Sequence, residues 1–317
     1  MTATMRGLVL DSSRGWAPTL RTDLARPTTG PGEVLVRVTH AGVFGHDFEL
    51  AKRWLGRLLG RVQGARGEVR TGLDFAGVVQ TGGERFREGA RVMGYVDMVS
   101  GYKPHADYLA IPEAYLTHAP EGVDPAHAAA LPMSAQTALV ALREIAAVGP
   151  GQRVLVLGAS GGVGVMAVQI ARLLGAGVTA VASPPHHALL TELGAEECVD
   201  YRTTRLEAMQ GPYDAVLDFS ATARLSQVRH LLGPAGVFIP ADPMRNLSDI
   251  VCSRRAKWLM VDRGDAALLD QIAAWAARGE LRPIVSEVFD LSEWPRAVAR
   301  SHERGTAGRL VLRLGEG

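Results

Sequence analysis

Cysteine is almost missing from this chain. The two present in 317 residues, Cys198 and Cys252, lie far apart and form no C-x-x-C pair, which excludes a disulfide framework and a zinc ribbon. A reducing compartment, the cytoplasm, is the expectation. Long apolar runs are missing too: no stretch approaches 18 uninterrupted apolar residues, so no membrane span is expected. The apolar approach from Gly7 to Leu10 ends at Asp11 and is too short for a signal-peptide core. Charge of one sign is not in excess either. The net charge of +1 gives no reason for bulk electrostatic attraction to nucleic acid, so binding has to be local. Lysine occurs only at Lys52, Lys103 and Lys257, an arginine-for-lysine bias that reads as a GC-rich coding genome. There is no long internal repeat and no low-complexity segment.

What is present is ample apolar material, 47% of residues, in a chain longer than one hydrophobic core usually serves, so two domains are expected. The chain is organised around Val154-Leu-Val-Leu-Gly-Ala-Ser-Gly-Gly-Val-Gly164 and the apolar residues after it: a buried strand, a glycine turn and a helix in immediate succession. Ala159, Gly161 and Gly164 occupy the three places of a G-x-G-x-x-G-like fingerprint. Gly161 lets the backbone approach a pyrophosphate, Gly164 lets helix and strand pack closely, and the N–H groups of Ser160, Gly161, Gly162 and Val163 at the helix start face the anion.

Before this corner the chain reads as β structure, with strands at 6–10, 33–39, 72–79, 90–94 and 105–112 separated by turn residues, economically a barrel-like domain. Between them Ala51 to Arg70 sets six basic residues against Glu68, with Trp54, Leu55, Leu58, Leu59 and Val62 at helical spacing. A solvated basic helix face is the ordinary reading. The sharper one is a dock for a phosphate-bearing tail such as a coenzyme A thioester, which charge reversal at Arg57 and Arg61 would weaken. From Asp124 the character changes to helix, interruption at Pro132, helix, and then alternating strand and helix: 153–157 and 162–174, 178–182 and 186–194, 214–219 and 222–232, then 237–241. Repeated βα units predict a doubly wound parallel sheet. The strand at 236–241 is expected at an edge, where a second copy can pair. The tail predicts a helix from Asp265 to Arg278, a strand near 284–289, a helix capped by Ser292 and a last strand at 309–314. Topology returns that strand to the β domain, giving a discontinuous β domain over 1–127 and 263–317 around a dinucleotide-binding domain over 128–262.

These segments together resemble the medium-chain dehydrogenase/reductase superfamily, and within it the zinc-free quinone oxidoreductase and enoyl reductase branch. The residues that carry the likeness are Pro31-Gly-Glu-Val-Leu-Val-Arg-Val38, Gly72-Leu-Asp-Phe-Ala-Gly-Val-Val79, Leu131-Pro-Met-Ser-Ala-Gln-Thr137, the Gly158–Gly164 turn, and Phe289-Asp-Leu-Ser through Gly308-Arg-Leu-Val311. The resemblance implies a Rossmann-type α/β fold beside a GroES-like β domain. Zinc-dependent relatives carry a cysteine and a His-Glu pair where this chain has Phe44 and Leu73-Asp74. Phenylalanine and leucine offer a metal nothing, so no metal is expected.

An NAD site places an acid about 20 residues beyond the glycines, on the ribose 2′-hydroxyl. Here no acid occurs between Gly161 and Glu192, so nothing repels a 2′-phosphate, and NADPH is expected. Ser183 and His186 or His187 offer donors where relatives often have lysine or arginine. The resemblance adds Tyr201, with Arg202 beside it, and counts Arg309 of the last marker among the cofactor contacts. It places a substrate pocket between the domains, lined by Phe44, His46, Asp47 and Tyr95 or Tyr102 on one side and by Thr137 and Ser220 near the nicotinamide on the other. The expected activity is hydride transfer from NADPH to a conjugated carbonyl compound: a quinone, an enone or an enoyl thioester. His46, held by Asp47 or acting as the donor itself, and Tyr102 are the candidate proton donors, with Tyr108 a weaker one. The other reading is a protein that keeps the cofactor fold without net redox, as a cyclase, an isomerase or a cofactor sensor. A homodimer is expected by the same resemblance.

Overall fold

The computed structural model describes residues 3–48, 68–96, 103–303 and 305–315. The first half is antiparallel β structure. Its strands are β1 (Thr4–Asp11), β2 (Ala17–Ala25), β3 (Glu33–Val43), β4 (Glu68–Arg70), β5 (Asp74–Thr81), β6 (Arg91–Tyr95), β7 (Tyr108–Pro112) and β8 (Leu116–His118). Then come the short helices α1 (Pro125–Ala129) and α2 (Pro132–Leu139), each opened by a proline whose missing N–H costs nothing in a first turn. Parallel strands β9 (Arg153–Leu157), β10 (Gly177–Ala182), β11 (Glu197–Asp200), β12 (Tyr213–Asp218) and β13 (Leu232–Pro240) follow, interleaved with α3 (Gly162–Leu173), α4 (His187–Leu193) and α5 (Leu225–Val228). The chain closes with α6 (Leu247–Cys252), α7 (Ala266–Ala277), β14 (Val285–Asp290), α8 (Trp294–Ser301) and β15 (Arg309–Arg313).

The parallel sheet has the order β11-β10-β9-β12-β13. Along β9, Val154 and Val156 enter one apolar cluster with α2 and α3, while Leu155 and Leu157 enter another with Phe238 and Leu225. Alternate residues buried on opposite faces are what a strand covered on both sides requires, and they explain why β9 reads as a continuous apolar run. A second sheet, ordered β14-β15-β3-β5-β6-β8 with β7 on β3, encloses a separate core containing Val36, Phe75, Val92 and Leu312. Its membership brings the C-terminal strand home: Leu310 pairs with Val43 and Leu312 with Ala41, antiparallel. A third, three-stranded sheet runs β2-β1-β4.

Four expectations are corrected. The helix expected over 222–232 starts later, at Leu225, and runs as α5 and a 3-10 turn to Leu231, where Leu232-Gly-Pro-Ala is already extended, with Leu232 beside Tyr213 in the sheet. Ser292 is not the cap before α8. Asp290 caps the 3-10 turn Leu291–Glu293 that leads into α8, in a capping box with Glu293, and α8 itself starts from Glu293 without a side-chain cap. Glu68 to Arg70, expected at the end of a basic helix, instead form β4, with Val69 opposite Leu10; the rest of that stretch, Arg57 and Arg61 included, lies outside the described residues. The edge of β13 is not open at its middle, since the Phe238 N–H donates to Arg255 O (2.7 Å) and its carbonyl accepts from Lys257 N (2.9 Å). Among the described residues no helix is long and apolar enough to cross a membrane.

Candidate functional site

The glycine corner sits where β9 ends against β10 and β12, at the carboxyl edge of the parallel sheet, where open α/β folds bind ligands. Gly158 turns the chain with φ +73°, and a side chain there would meet Ser220 N at 2.8 Å, so the turn packs against the end of β12. Gly164 lies so close to Gly158 O that any Cβ would overlap it. Gly161 differs: only Gly158 O, at 3.4 Å, stands near the place of its missing Cβ, and φ of −69° is unremarkable. It is the N-cap of α3 and offers no side chain to cap the helix. Gly161 and Gly162, at the start of α3, thus line a cavity of about 430 Å³, and no side chain caps that helix start.

The opposite wall comes from the β sheet. Val43, Phe44, Gly45, Ser301, His302, Thr306, Gly308, Arg309 and Leu310 share this cavity with Gly161 and Gly162. The C-terminal arm is tied to the glycine turn, since Gly308 N donates to Ser160 O at 2.8 Å. Gly308 itself has φ +76° and lies against Ile284 O with no room for a side chain, and this bend delivers Arg309 beside Gly162. Arg309 is 2% exposed. Its Nη2 donates to Asp74 Oδ1 at 2.6 Å, and its guanidinium lies 4.6 Å from the centre of the Phe44 ring. Its Nε and Nη1, and the Asp74 Oδ2, have no hydrogen-bond partner among the described residues. Burial pushes the Asp74 carboxyl above the usual carboxylate range, with Asp47 adding to the rise, while Arg309 draws it down.

Behind this pair sits His105, fully buried. Its Nε2–H donates to Gly42 O (2.9 Å), its Nδ1 accepts from the Thr71 hydroxyl (2.9 Å), and its ring stacks on Phe48. Burial, which the bond to Gly42 only partly offsets, drives its pKa down to about 4. It is thus a neutral strut, holding the strand segment that carries Gly42.

The expected site residues separate into groups. Phe44, Gly161, Gly162 and Arg309 meet in the cavity. Ser160 and Val163 flank it in the turn, and Gly164 closes the turn behind. Ser183, buried, follows β10, and Tyr201, half-exposed, follows β11; because Ala182 pairs with Asp200, these two residues stand side by side at the sheet edge. Of the two histidines beside them, His187 is committed to Ala182 O through Nε2 (3.1 Å), which leaves His186 facing that corner as the candidate donor. Ser220 donates to Asp218 Oδ1 (2.5 Å) at the end of β12, and Thr137 lies on α2 with its hydroxyl near Met133 Sδ.

Asp47 does not line the cavity: its Oδ2 accepts from Phe44 N–H at 2.8 Å and shapes the turn Gly45–Phe48. Tyr95 does not line it either, being buried with its hydroxyl on Val261 O at 2.7 Å. The ring of Tyr108 lies under Arg26, 3.8 Å away, in β7. The side chain of His46 and all of Tyr102 lie outside the described residues. Residue types alone did not bring out Asp74, His105 or His302. The signal for Asp74 was present as the one charged residue of its strand, whereas Arg309 shares its strand with Arg313 and was marked only by the motif that contains it.

Two family models match the chain: an alcohol dehydrogenase GroES-like domain over residues 30–121 and a zinc-binding dehydrogenase domain over 193–312. The chloroplastic quinone-oxidoreductase QR1 of Triphysaria versicolor is 28% identical over 97% of this chain and 98% of its own. The trans-enoyl reductase pgmF of Aspergillus terreus is 28% identical over 90% and 88%. The solved quinone oxidoreductase of Coxiella burnetii superposes with a TM-score of 0.83, at 25% identity, over 99% of this chain and 100% of that one.

Proposed function

The chain belongs to the medium-chain dehydrogenase/reductase superfamily and is an oxidoreductase; from that premise we propose that it reduces conjugated carbonyl compounds with NADPH and without zinc. The observation that carries the reading is the cavity lined together by an uncapped helix start, a glycine with room for a ligand in place of its Cβ, and the arginine that opens β15. That donor set fits a pyrophosphate, which brings many acceptor oxygens and a charge that helix and guanidinium both favour.

In this reading the N–H groups of Ser160, Gly162, Val163 and Gly164, with Arg309 beside them, hold the pyrophosphate, while the Gly161 N–H donates to Gly158 O (3.1 Å) and Gly161 serves by its missing side chain. Ser183, His186 and Tyr201 hold the 2′-phosphate at the corner beyond β10. Thr137 and Ser220 orient the nicotinamide. The bound dinucleotide supplies a hydride, and the residues around it supply position and dryness. The Phe44 ring closes the cavity toward the β sheet and excludes water there. A proton for the substrate comes from His46, steadied by the turn that Asp47 shapes, or else from Tyr102.

The absence of zinc is inferred from chemistry. Where relatives bind metal, this chain offers Phe44 and Leu73, and the Arg309 cation lies over the Phe44 ring. A homodimer is part of the same proposal. Because the β13 edge is covered at Phe238, the exposed Met244, Val251 and Met260 beyond it are the surface assigned to pairing.

Incubation of the protein with NADPH and a panel of quinones, enones and enoyl thioesters, followed at the nicotinamide absorbance, tests the activity. Oxidation by at least one acceptor is expected. Tight NADPH binding without oxidation by any acceptor would instead favour a non-redox enzyme or a cofactor sensor.

A further inference from the structure

A second cavity, of about 410 Å³, lies where the chain crosses between the two large sheets. The segment from Gly122 to His127 follows β8 as the chain leaves the second sheet, the segment from Arg282 to Val285 leads back into it at β14, and both line this cavity. Its size falls in the range of roughly 300–1,000 Å³ that small-molecule pockets occupy. Val123, Pro283, Ile284 and Val285 give it apolar surface, and Asp124, His127 and Arg282 give it ionisable groups. Asp124 is spent on α1: its oxygens accept from the N–H groups of Ala126 (3.0 Å) and His127 (3.1 Å) and from His127 Nδ1 (2.5 Å). The last of these bonds fixes the imidazole, whose Nε2 has no partner among the described residues. Arg282 is held more firmly still. Gln169, buried on α3, donates to its carbonyl (3.0 Å) and accepts from its N–H (2.8 Å), while Nη1 donates to Glu192 Oε1 (2.7 Å). That ion pair uses one guanidinium N–H group, and the others have no partner among the described residues. Both side chains can be reached from solvent, at 41% exposure for His127 and 47% for Arg282.

We propose that this cavity is a second ligand site, taking a small carboxylate with an apolar body: the charged end on Arg282, the body over Val123, Ile284 and Val285. The unfilled hydrogen bonds select that class. With Asp124 satisfied by three donors, what the cavity still offers is N–H groups of Arg282, and a guanidinium can give a carboxylate two parallel bonds. His127 adds a third donor, Nε2–H, once its ring carries both protons. The apolar surface favours a ligand that covers it over a bare inorganic anion. Arg282 is tied by Gln169 and Glu192, and His127 by Asp124, so little ordering remains to be done when the ligand arrives. The site shares no lining residue with the cavity at the glycine corner and is independent of the cofactor reading.

The test is calorimetric titration of the full chain with hexanoate, beside hexylamine and inorganic phosphate as probes of the apolar body and of the charge alone. Hexanoate is expected to saturate in the millimolar range, and the other two are not. No saturation by hexanoate, or equal binding of hexylamine, overturns the proposal. Arg282→Gln should weaken hexanoate about fivefold or more, and the fold is kept because the bonds to Gln169 use only the backbone of Arg282. Arg282→Gln combined with Glu192→Gln removes one charge of each sign and should show the same loss, so wild-type affinity in that double variant overturns the direct contact. Val123→Asp, which sets a like charge against the ligand, should abolish binding, and retained affinity there also overturns it. Saturating NADP+ should leave hexanoate within about twofold. Displacement by NADP+ would put hexanoate at the glycine corner and end the proposal, whereas the variants decide the matter even in a protein that binds no dinucleotide.

Discussion

Gly161 and Gly164 stand three residues apart in one turn, and the structure assigns them opposite vulnerabilities. An alanine at Gly161 meets ordinary backbone geometry, φ −69°, and a single neighbour at contact distance, Gly158 O at 3.4 Å. Its effect on stability should therefore be small, within about 1 kcal/mol, the gain in chain stiffness offsetting a slightly poorer N-cap. An alanine at Gly164 would overlap Gly158 O and stand 2.7 Å from two backbone atoms of Ala159. Backbone cannot swing aside as a side-chain tip can, so overpacking of about 1–3 kcal/mol or more is expected. In a domain of this size that lowers the melting temperature by roughly 3–10 °C. Binding should show the reverse emphasis. The new methyl group at Gly161 fills the approach of the pyrophosphate, and losing charge-assisted hydrogen bonds of about 2–3 kcal/mol weakens NADP+ by roughly 30- to 100-fold. Thermal melts without ligand, paired with NADP+ titrations, read both quantities. A Gly161→Ala protein that binds NADP+ as wild type does would refute the placement of the pyrophosphate, and a Gly164→Ala protein as stable as the Gly161 variant would refute the packing argument.

Other outcomes follow from the same geometry. His105 is held near pKa 4 in the fold against an ordinary 6.5, so below 6.5 the unfolded chain takes a proton that the native state refuses. Stability should then decline by about 3 kcal/mol between pH 6.5 and 4, and denaturant melts should show a shallower decline for His105→Gln; identical slopes would refute the buried neutral histidine. His186→Asp places an acid at the corner beyond β10 and should swing the preference between NADPH and NADH by roughly tenfold toward NADH; an unmoved ratio of kcat/KM values would place the 2′-phosphate elsewhere. His46→Gln should lower turnover by more than about tenfold if that histidine gives the proton, whereas unchanged turnover moves the role to Tyr102 or to water. Dialysis against a chelator should leave the rate with a quinone acceptor intact, and a rate restored only by zinc would contradict the proposed chemistry.

How far the sequence could be read depended on how locally each feature is encoded. The glycine corner was legible because strand, turn and helix start occupy one contiguous run, and the alternation of β9 onto two apolar clusters is the same run seen from its two faces. The helix expected over 222–232 was legible except at its ends: it starts at Leu225 and closes as a 3-10 turn at Leu231, because Leu232-Gly233-Pro234 is already committed to the sheet. The covered edge of β13 was invisible, since the residues that cover it, Arg255 and Lys257, carry no strand signal of their own and meet Phe238 through their backbone, with the Arg255 guanidinium adding a bond to Pro234 O. Asp74 and Arg309 lie 235 positions apart. Asp74 is the lone charge of its strand and Arg309 one of two in its own, which argues for special partners and cannot say which. Only the return of β15 to β3 makes them neighbours, and it sets them beside a turn that belongs to the other sheet. The part of the site that a sequence shows is thus the part that one element builds by itself. What joins it from the other sheet is set by topology: the last strand returns to the β sheet, and Gly308 bends the chain past the glycine turn on the way, so that a buried arginine lies beside Gly162 at the start of α3.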